Sequence, residues 1–245
     1  MDLQVERNLW RKGFKTVVGL DEAGRGPLAG PVVAGAVAVD CFMLKRASSS
    51  RKKELAYLLE QVNDSKKLNS KKREELYSVL IRSSFIKWGI ARVSEKKIDR
   101  INIFEASRLA MVNACADLLS KDQKKQDQKI PSASWPAKIE YLVIDGNFAL
   151  PAEALAKAGV APVGQQSVIK GDQKVFSIAA ASILAKVYRD RIMLRMDKKY
   201  PQYGFARHKG YPTKIHKENL KVYGPAVIHR KSFGPVCFYS RIKQA

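Results

Sequence analysis

The stretch Val17-Val18-Gly19-Leu20-Asp21-Glu22-Ala23-Gly24-Arg25-Gly26-Pro27 sets the reading of the chain. Val17 to Leu20 is a short apolar run that suits a buried strand, and it leads straight into two carboxylates. Acids at strand ends in α/β folds are fixed by rigid backbone beside a loop, where chemistry is often placed. The alternative is a plain hairpin turn with two solvated acids. Neighbours on a regular strand point to opposite faces, so Asp21 and Glu22 can share one site only if the strand twists or ends there. Gly24 and Gly26 make such a bend easy. They also leave backbone N–H and C=O groups unshielded, so the loop can approach a sugar or phosphate. Arg25 adds a planar fork matched to phosphate.

Working outward, Pro31 to Val39 is β-branched, small and nearly uncharged, which predicts a central strand. Asp40 to Lys53 reads as an exposed basic loop leading into a helix. Ser70 is placed to cap a helix with Leu76, Val79 and Leu80 on its apolar face. Phe85 to Val93 is a further predicted strand. Leu109, Val112, Ala116 and Leu119 follow helical spacing and predict a helix over Asn102 to Ser120. Lys121 to Pro136 is polar, rich in Lys and Gln, and reads as a surface insertion. Ile139 to Ile144 predicts a strand ending at Asp145, and Ala152 to Ala158 a short helix. Val175 to Lys199 predicts a long helix, small and apolar in its first half and basic in its second. Strands alternating with helices, without repeats or a clear linker, predict one α/β domain over residues 1–245.

The 245 residues carry 45 Lys plus Arg against 23 Asp plus Glu, a formal net charge of +22. That balance favours a polyanionic partner, nucleic acid before an anionic membrane surface. Cys41, Cys115 and Cys237 are far apart and form no CxxC or His/Cys cluster, which argues against zinc and suits a reducing cytoplasm. The first fifteen residues are charged without an apolar signal core, and the longest apolar run is too short to span a bilayer. No membrane association is expected.

Against this charge, the acids inside glycine-rich segments stand out. Asp145 lies in Val143-Ile144-Asp145-Gly146-Asn147, where an Asp-Gly turn is the simpler account. Asp172 lies in Ile169-Lys170-Gly171-Asp172, where it could merely cap the following helix. Acids beside a bound polyanion would repel it unless divalent cations sit between, and metal plus phosphodiester is nuclease chemistry. Tyr203-Gly204-Phe205-Ala206-Arg207-His208-Lys209-Gly210-Tyr211-Pro212 interleaves rings with bases, which suits a nucleic-acid groove or a basic loop with core aromatics.

Together these segments resemble bacterial ribonuclease HII. The resemblance rests on Asp21-Glu22-Ala23-Gly24-Arg25-Gly26-Pro27, Asp64-Ser65-Lys66-Lys67-Leu68, Asn102-Ile103, Ile144-Asp145-Gly146-Asn147 and Lys170-Gly171-Asp172. It continues through Ile178 to Val187, Arg189-Asp190, Tyr203-Gly204-Phe205, His208 to Thr213 and Arg230 to Pro235, in the family's order. It implies an RNase H-like fold, a central mixed β-sheet flanked by helices with a helical C-terminal part over about 200–245. It implies that Asp21, Glu22, Asp145 and Asp172 form an acidic site for two Mn²⁺ or Mg²⁺ ions. It implies that Gly24-Arg25-Gly26 senses a ribose 2′-OH and that Tyr211 stacks on a neighbouring sugar.

The expected activity is metal-dependent endonucleolytic cleavage of RNA in RNA–DNA hybrids, and nicking 5′ of ribonucleotides embedded in DNA. The ends would be 5′-phosphate and 3′-OH, and the protein a cytoplasmic monomer. Lys66, Lys186, Arg189 and Lys209 are the candidate phosphate contacts. Three segments look enlarged: Cys41 to Val62, Lys121 to Pro136, and Pro151 to Val163. All lie between motifs. The alternatives are a sister nuclease restricted to hybrids, and a non-catalytic RNA- or ribosome-binding protein.

Overall fold

A computed structural model describes residues 1–41, 44, 48–62, 68–126 and 138–242, with backbone only for 121–126 and 240–242. Helix α1 (Gln4–Arg11) precedes strands β1 (Val17–Ala23) and β2 (Val32–Val39). Helices α2 (Ser49–Gln61) and α3 (Ser70–Arg82) lead to β3 (Ile86–Val93) and the long helix α4 (Glu95–Gln126). Then come β4 (Tyr141–Asp145), α5 (Ala152–Lys157), β5 (Gly164–Val168), a 3₁₀ turn (Gly171–Gln173) and α6 (Phe176–Lys199). The chain ends in a 3₁₀ turn (Pro201–Tyr203) and helices α7 (Phe205–His208), α8 (Lys214–Tyr223) and α9 (Val236–Ile242).

The sheet has five strands in the order β3-β2-β1-β4-β5. β1 pairs antiparallel with β2, and β2 with β3, while β4 runs parallel to both β1 and β5. The sheet is therefore mixed, as the resemblance implies. β2 (VVAGAVAV) is buried along its length, which explains its lack of polar alternation. One face packs Val18, Leu20, Ala34, Leu142 and Ile144 against Ala106, Ala110 and Ala114 of α4. The other packs Val37 and Val39 against Ala179, Ala180 and Ile183 of α6. A Cβ at Gly35 would overlap the Ala181 carbonyl, so glycine here sets how closely α6 lies on the sheet. No helix is long and apolar enough to cross a membrane among the described residues.

Several boundaries differ from the sequence expectations. The cap of α3 is Asn69, whose side chain accepts from the Lys72 N–H at 2.9 Å, and Ser70 is its first helical residue. α4 begins at Glu95 and kinks at Asn102 (φ 64°, ψ 169°), whose Oδ1 accepts from the Glu105 N–H and so caps the second segment. Strand β1 continues through Glu22 to Ala23, still paired with β2. The neighbour β4 is what ends at Asp145. Lys121 to Gln126 extends α4, and the rest of the expected insertion lies outside the described residues, as do Asp64 to Lys67 with Lys66.

The helical C-terminal part is pinned by the chain's three histidines. His216 Nδ1 lies 2.8 Å from the Tyr211 carbonyl, which can only accept, so Nδ1 carries the proton. His216 Nε2 then accepts from His229 Nε2 at 3.1 Å, and His229 Nδ1 accepts from the Ala226 N–H at 2.9 Å. His208 stacks on His216 with ring centroids 4.4 Å apart. Each ring in this chain has one consistent neutral tautomer. Burial, and then the neighbouring histidine, pull His216 and His229 down to about 4.

A histidine with a depressed folded pKa makes the unfolded chain bind more protons below its ordinary value of 6.5, so stability rises with pH across that window. Urea midpoints should therefore fall on acidification from pH 6.5 toward 4. The fall should be markedly smaller in His229→Gln, measured relative to that variant's own neutral midpoint. An equal slope in both proteins would remove His229 from the cause.

Candidate active site

The register of β1 and β4 places the first two acids. Leu20 pairs with Ile144, so Asp21 and Asp145 stand level, one residue beyond the last pair. Val17 and Val143 point toward Val175 and Ile178 beside α6. With period-two alternation, Asp21 and Asp145 share that face, and Glu22 belongs to the face covered by α4. Because β4 ends here while β1 runs on, the edge of β1 is open toward β4 beyond Leu20. The expected twist or strand end at Asp21 is thus replaced by a missing neighbour.

Asp21 is 5% exposed; it accepts from the Glu22 N–H at 2.7 Å and from the Ser182 side chain. Burial raises its pKa well above the usual carboxylate range, and the charges of Glu22 and Asp145 add to the effect. Asp145 Oδ1 accepts from the Gly171 N–H at 2.7 Å, which draws the 3₁₀ turn and its buried Asp172 to the end of β4. Asp172 is not the cap of α6: it lies inside the 3₁₀ turn, and the capping position is Val175, without a side-chain bond. Among the described residues, no three His, Cys, Asp or Glu side chains are gathered tightly enough to hold an ion as they stand. An all-carboxylate set is nonetheless the donor chemistry of hard divalent cations such as Mg²⁺ and Mn²⁺. Such a cation would relieve the crowding of charge that raises Asp21.

Beyond β1 the chain enters the glycine loop, which two buried arginines hold. Arg189 donates to the carbonyls of Pro31, Ala29 and Lys209, each at 3.0 Å. Arg230 donates to the carbonyls of Gly30 (2.9 Å), Arg25 (2.8 Å) and Gly24 (2.6 Å). Burial, and then the charge of Arg189, pull Arg230 down to about 9. Gly24 has φ +102°, and a Cβ there would overlap the Arg189 side chain.

Arg189 corrects a sequence expectation. Its guanidinium is spent on backbone carbonyls, so it braces the loop and has no free face for phosphate. Charge in a sequence says nothing about direction, and Arg230 was missed for the same reason. Ser182 had no signal beyond its place in an alanine-rich helix.

Tyr211 comes to the loop from 185 residues away. A Cβ at Gly26 would lie 3.8 Å from Tyr211 Cε1, and the ring is 41% exposed. The Leu28 N–H donates to the Gly210 carbonyl at 2.8 Å, tying the two segments together. Arg25, with a 46% exposed side chain, lies 3.4 Å from Glu22 Oε1. Lys186 is paired with Asp190 at 2.7 Å, and the Lys209 ammonium folds back on the Ala206 carbonyl. The fold therefore brings Asp21, Glu22, Asp145, Asp172, Gly24 to Gly26 and Tyr211 to one end of the sheet. It places Lys186 on the basic half of α6.

The family model for ribonuclease HII matches residues 18–236. Ribonuclease HII of Chloroherpeton thalassium is 42% identical, over 97% of this chain and 98% of its own. That of Bacillus velezensis is 43% identical, over 96% of this chain and 75% of its own. Among solved structures, ribonuclease H2 from Pyrococcus horikoshii superposes with a TM-score of 0.63 at 28% identity, covering 94% of this chain and 100% of that one. A ribonuclease HIII solved in complex with Mn²⁺ shares the fold at a TM-score of 0.61 and 17% identity, over 93% of this chain and 70% of that one. From the match across nearly its whole length, this chain belongs to the ribonuclease HII family of hydrolytic endonucleases that act on RNA.

Proposed function

We propose that the chain nicks duplex DNA on the 5′ side of embedded ribonucleotides and cleaves the RNA strand of RNA–DNA hybrids, leaving 5′-phosphate and 3′-OH ends. The carrying observation is the approach of the Tyr211 ring to Gly26, where an added Cβ would lie 3.8 Å from it, beside the carboxylates of β1 and β4. A 2′-OH is the group that tells RNA from DNA at one position. A glycine loop admits backbone to it, and the exposed Tyr211 ring offers a stacking surface for the adjoining sugar. Arg230 fixes the carbonyl directions of Gly24 and Arg25, so the loop presents one defined face to the ribose.

Asp21, Glu22, Asp145 and Asp172 would hold two Mg²⁺ or Mn²⁺ ions. When bound, these supply charge neutralisation at the scissile phosphate and activation of water. The chain's own part is placement. Gly171 orients Asp145, Ser182 and the Glu22 amide orient Asp21, and α6 keeps water from Asp21. Arg25 is the exposed cation best placed to meet the backbone phosphate. Lys186 and Lys209, both partly exposed, are further phosphate contacts in this reading, and the protein works as a cytoplasmic monomer.

The direct test incubates the protein with a DNA duplex carrying one ribonucleotide, with Mn²⁺, Mg²⁺ or EDTA, and maps the cut. A metal-dependent nick on the 5′ side of the ribonucleotide is expected. Cutting of long hybrids alone would favour the sister activity, and tight binding without cutting would favour a binding protein.

Asp145→Asn should lower turnover by at least about a hundredfold, since one removed electrostatic contact at a reacting centre costs that much. Filter binding in EDTA should change little, because the lost charge does not attract the polyanion. Near wild-type cleavage by Asp145→Asn would sink the four-carboxylate assignment.

A second expectation needs no turnover. With its pKa raised, native Asp21 holds a proton that the unfolded chain has released. Stability therefore falls as pH rises above the ordinary value of 3.8 through that window. Asp21→Asn should raise the melting temperature of the metal-free protein at neutral pH, by roughly 2–4 °C per kcal/mol relieved in a chain of this size. Mg²⁺ should stabilise the wild type and give Asp21→Asn much less. A variant that melts lower without metal, and still gains from Mg²⁺ as the wild type does, would count against charge crowding at Asp21.

A further inference from the structure

The nucleotide on the far side of the cut needs a support that Gly24 to Gly26 and Tyr211 cannot give. In the sheet order, the glycine loop turns back from β1 toward β2. Phe148, three residues beyond Asp145, stands on the other side of β1, past the end of β4. A Cβ on Gly146 would lie 3.0 Å from Phe148 Cε1, so the ring sits against the residue next to Asp145. Phe104 meets Phe148 edge-on, with centroids 5.4 Å apart and an interplanar angle of 73°. Phe104 is 39% exposed, so part of its ring is open to a ligand. The Arg108 guanidinium lies over it at 5.3 Å.

The kink of α4 puts Phe104 there. Asn102 adopts a backbone region otherwise almost confined to glycine. Before the kink, Asp99 accepts from the Lys231 N–H at 3.0 Å and from the Ser232 N–H at 2.9 Å, beside the Arg230 brace. After it, Phe104 reaches Phe148. The N-terminal part of α4 thus touches the segment after Arg230 before its kink and Phe148 after it.

We propose that Phe104, seated on Phe148 and backed by Arg108, is a stacking ledge for the nucleotide on the 5′ side of the scissile phosphate, and so a specificity-determining contact. The inference rests on the proposed nicking reaction. If the glycine loop and Tyr211 hold the ribonucleotide and its 3′ neighbour, the strand leaves the carboxylates toward β4 in the 5′ direction. An exposed aromatic ring suits a base, because every base has a π-face, and Arg108, whose Nη1 is paired with Glu105 at 2.9 Å, packs over Phe104 and holds it in place.

The test compares the wild type with Phe104→Ala, Phe104→Leu and Phe104→Trp on a single-ribonucleotide duplex. The duplex is either intact or abasic at the first or second nucleotide 5′ of the cut. Thermal melting confirms that each variant is folded. On the intact duplex, Phe104→Ala and Phe104→Leu should raise KM about five- to tenfold, the lower part of what one stacked base contributes, with kcat within about twofold. Phe104→Trp should retain the wild-type KM. The abasic change should raise the wild-type KM similarly and add almost nothing to Phe104→Ala.

The ledge is overturned by an unchanged KM in Phe104→Ala. An abasic penalty of the same size in wild type and variant overturns it too, since that marks a structural effect. If the wild type cuts hybrids but fails to nick the intact duplex, the functional reading has failed and the ledge falls with it.

Discussion

Two buried guanidinium groups hold the loop between β1 and β2, and the arrangement of that end of the molecule depends on them. Arg189 and Arg230 donate to backbone carbonyls rather than to carboxylates. Both are surrounded by backbone carbonyls. Removing a cation from water is costly unless its donors are satisfied, and carbonyl dipoles converging on a planar fork do that. The two charges also disfavour one another, which contributes to the lowered pKa of Arg230. This arrangement sets positive potential directly behind the glycine loop, where water screens it little. A carboxylate partner would have given a tighter pair and cancelled that field.

On the other side of β1 the sign reverses. Asp21 and Asp145 stand level on neighbouring parallel strands, and β1 outlasts β4. Parallel pairing fixes the two backbones at one height, and strand alternation fixes the shared face. Burial, and then the charges of Glu22 and Asp145, disfavour the ionised form of Asp21. The acid pair of β1 and the braced loop lie a few residues apart in sequence, while the cations beneath the loop come from Arg189 and Arg230. Gly24, with its left-handed backbone, separates the acid pair from the rest of the loop.

Much of this was legible in the sequence, for identifiable reasons. β1, β2 and α6 are buried, so their composition reports their environment, and Asp21 and Asp145 fall at the ends of apolar runs. The polar edge strand β5 (GQQSV) is half-exposed and carries no hydrophobic pattern, so it was not found. Asn69 displaced Ser70 as the cap because both are good capping residues and only the backbone decides between them. Asp172 looked like a cap because a 3₁₀ turn before a helix has the same composition as one. The kink at Asn102 fell at the start of the predicted helix, whose earlier turns hold Lys96, Lys97 and Arg100 and show little apolar periodicity. Arg189 was misjudged because a guanidinium pointing inward reads like one pointing outward.

The brace from Arg230 to Gly24 and Arg25 joins positions more than two hundred residues apart. The sheet and its carboxylates can come together before that arginine exists in the nascent chain, whereas the loop cannot be locked. In the nascent chain the acids of β1, β4 and the 3₁₀ turn are therefore present before the arginine that locks the loop. Everything from Asp21 to Asp172 precedes, in order of synthesis, the residue that fixes the carbonyls of Gly24 and Arg25.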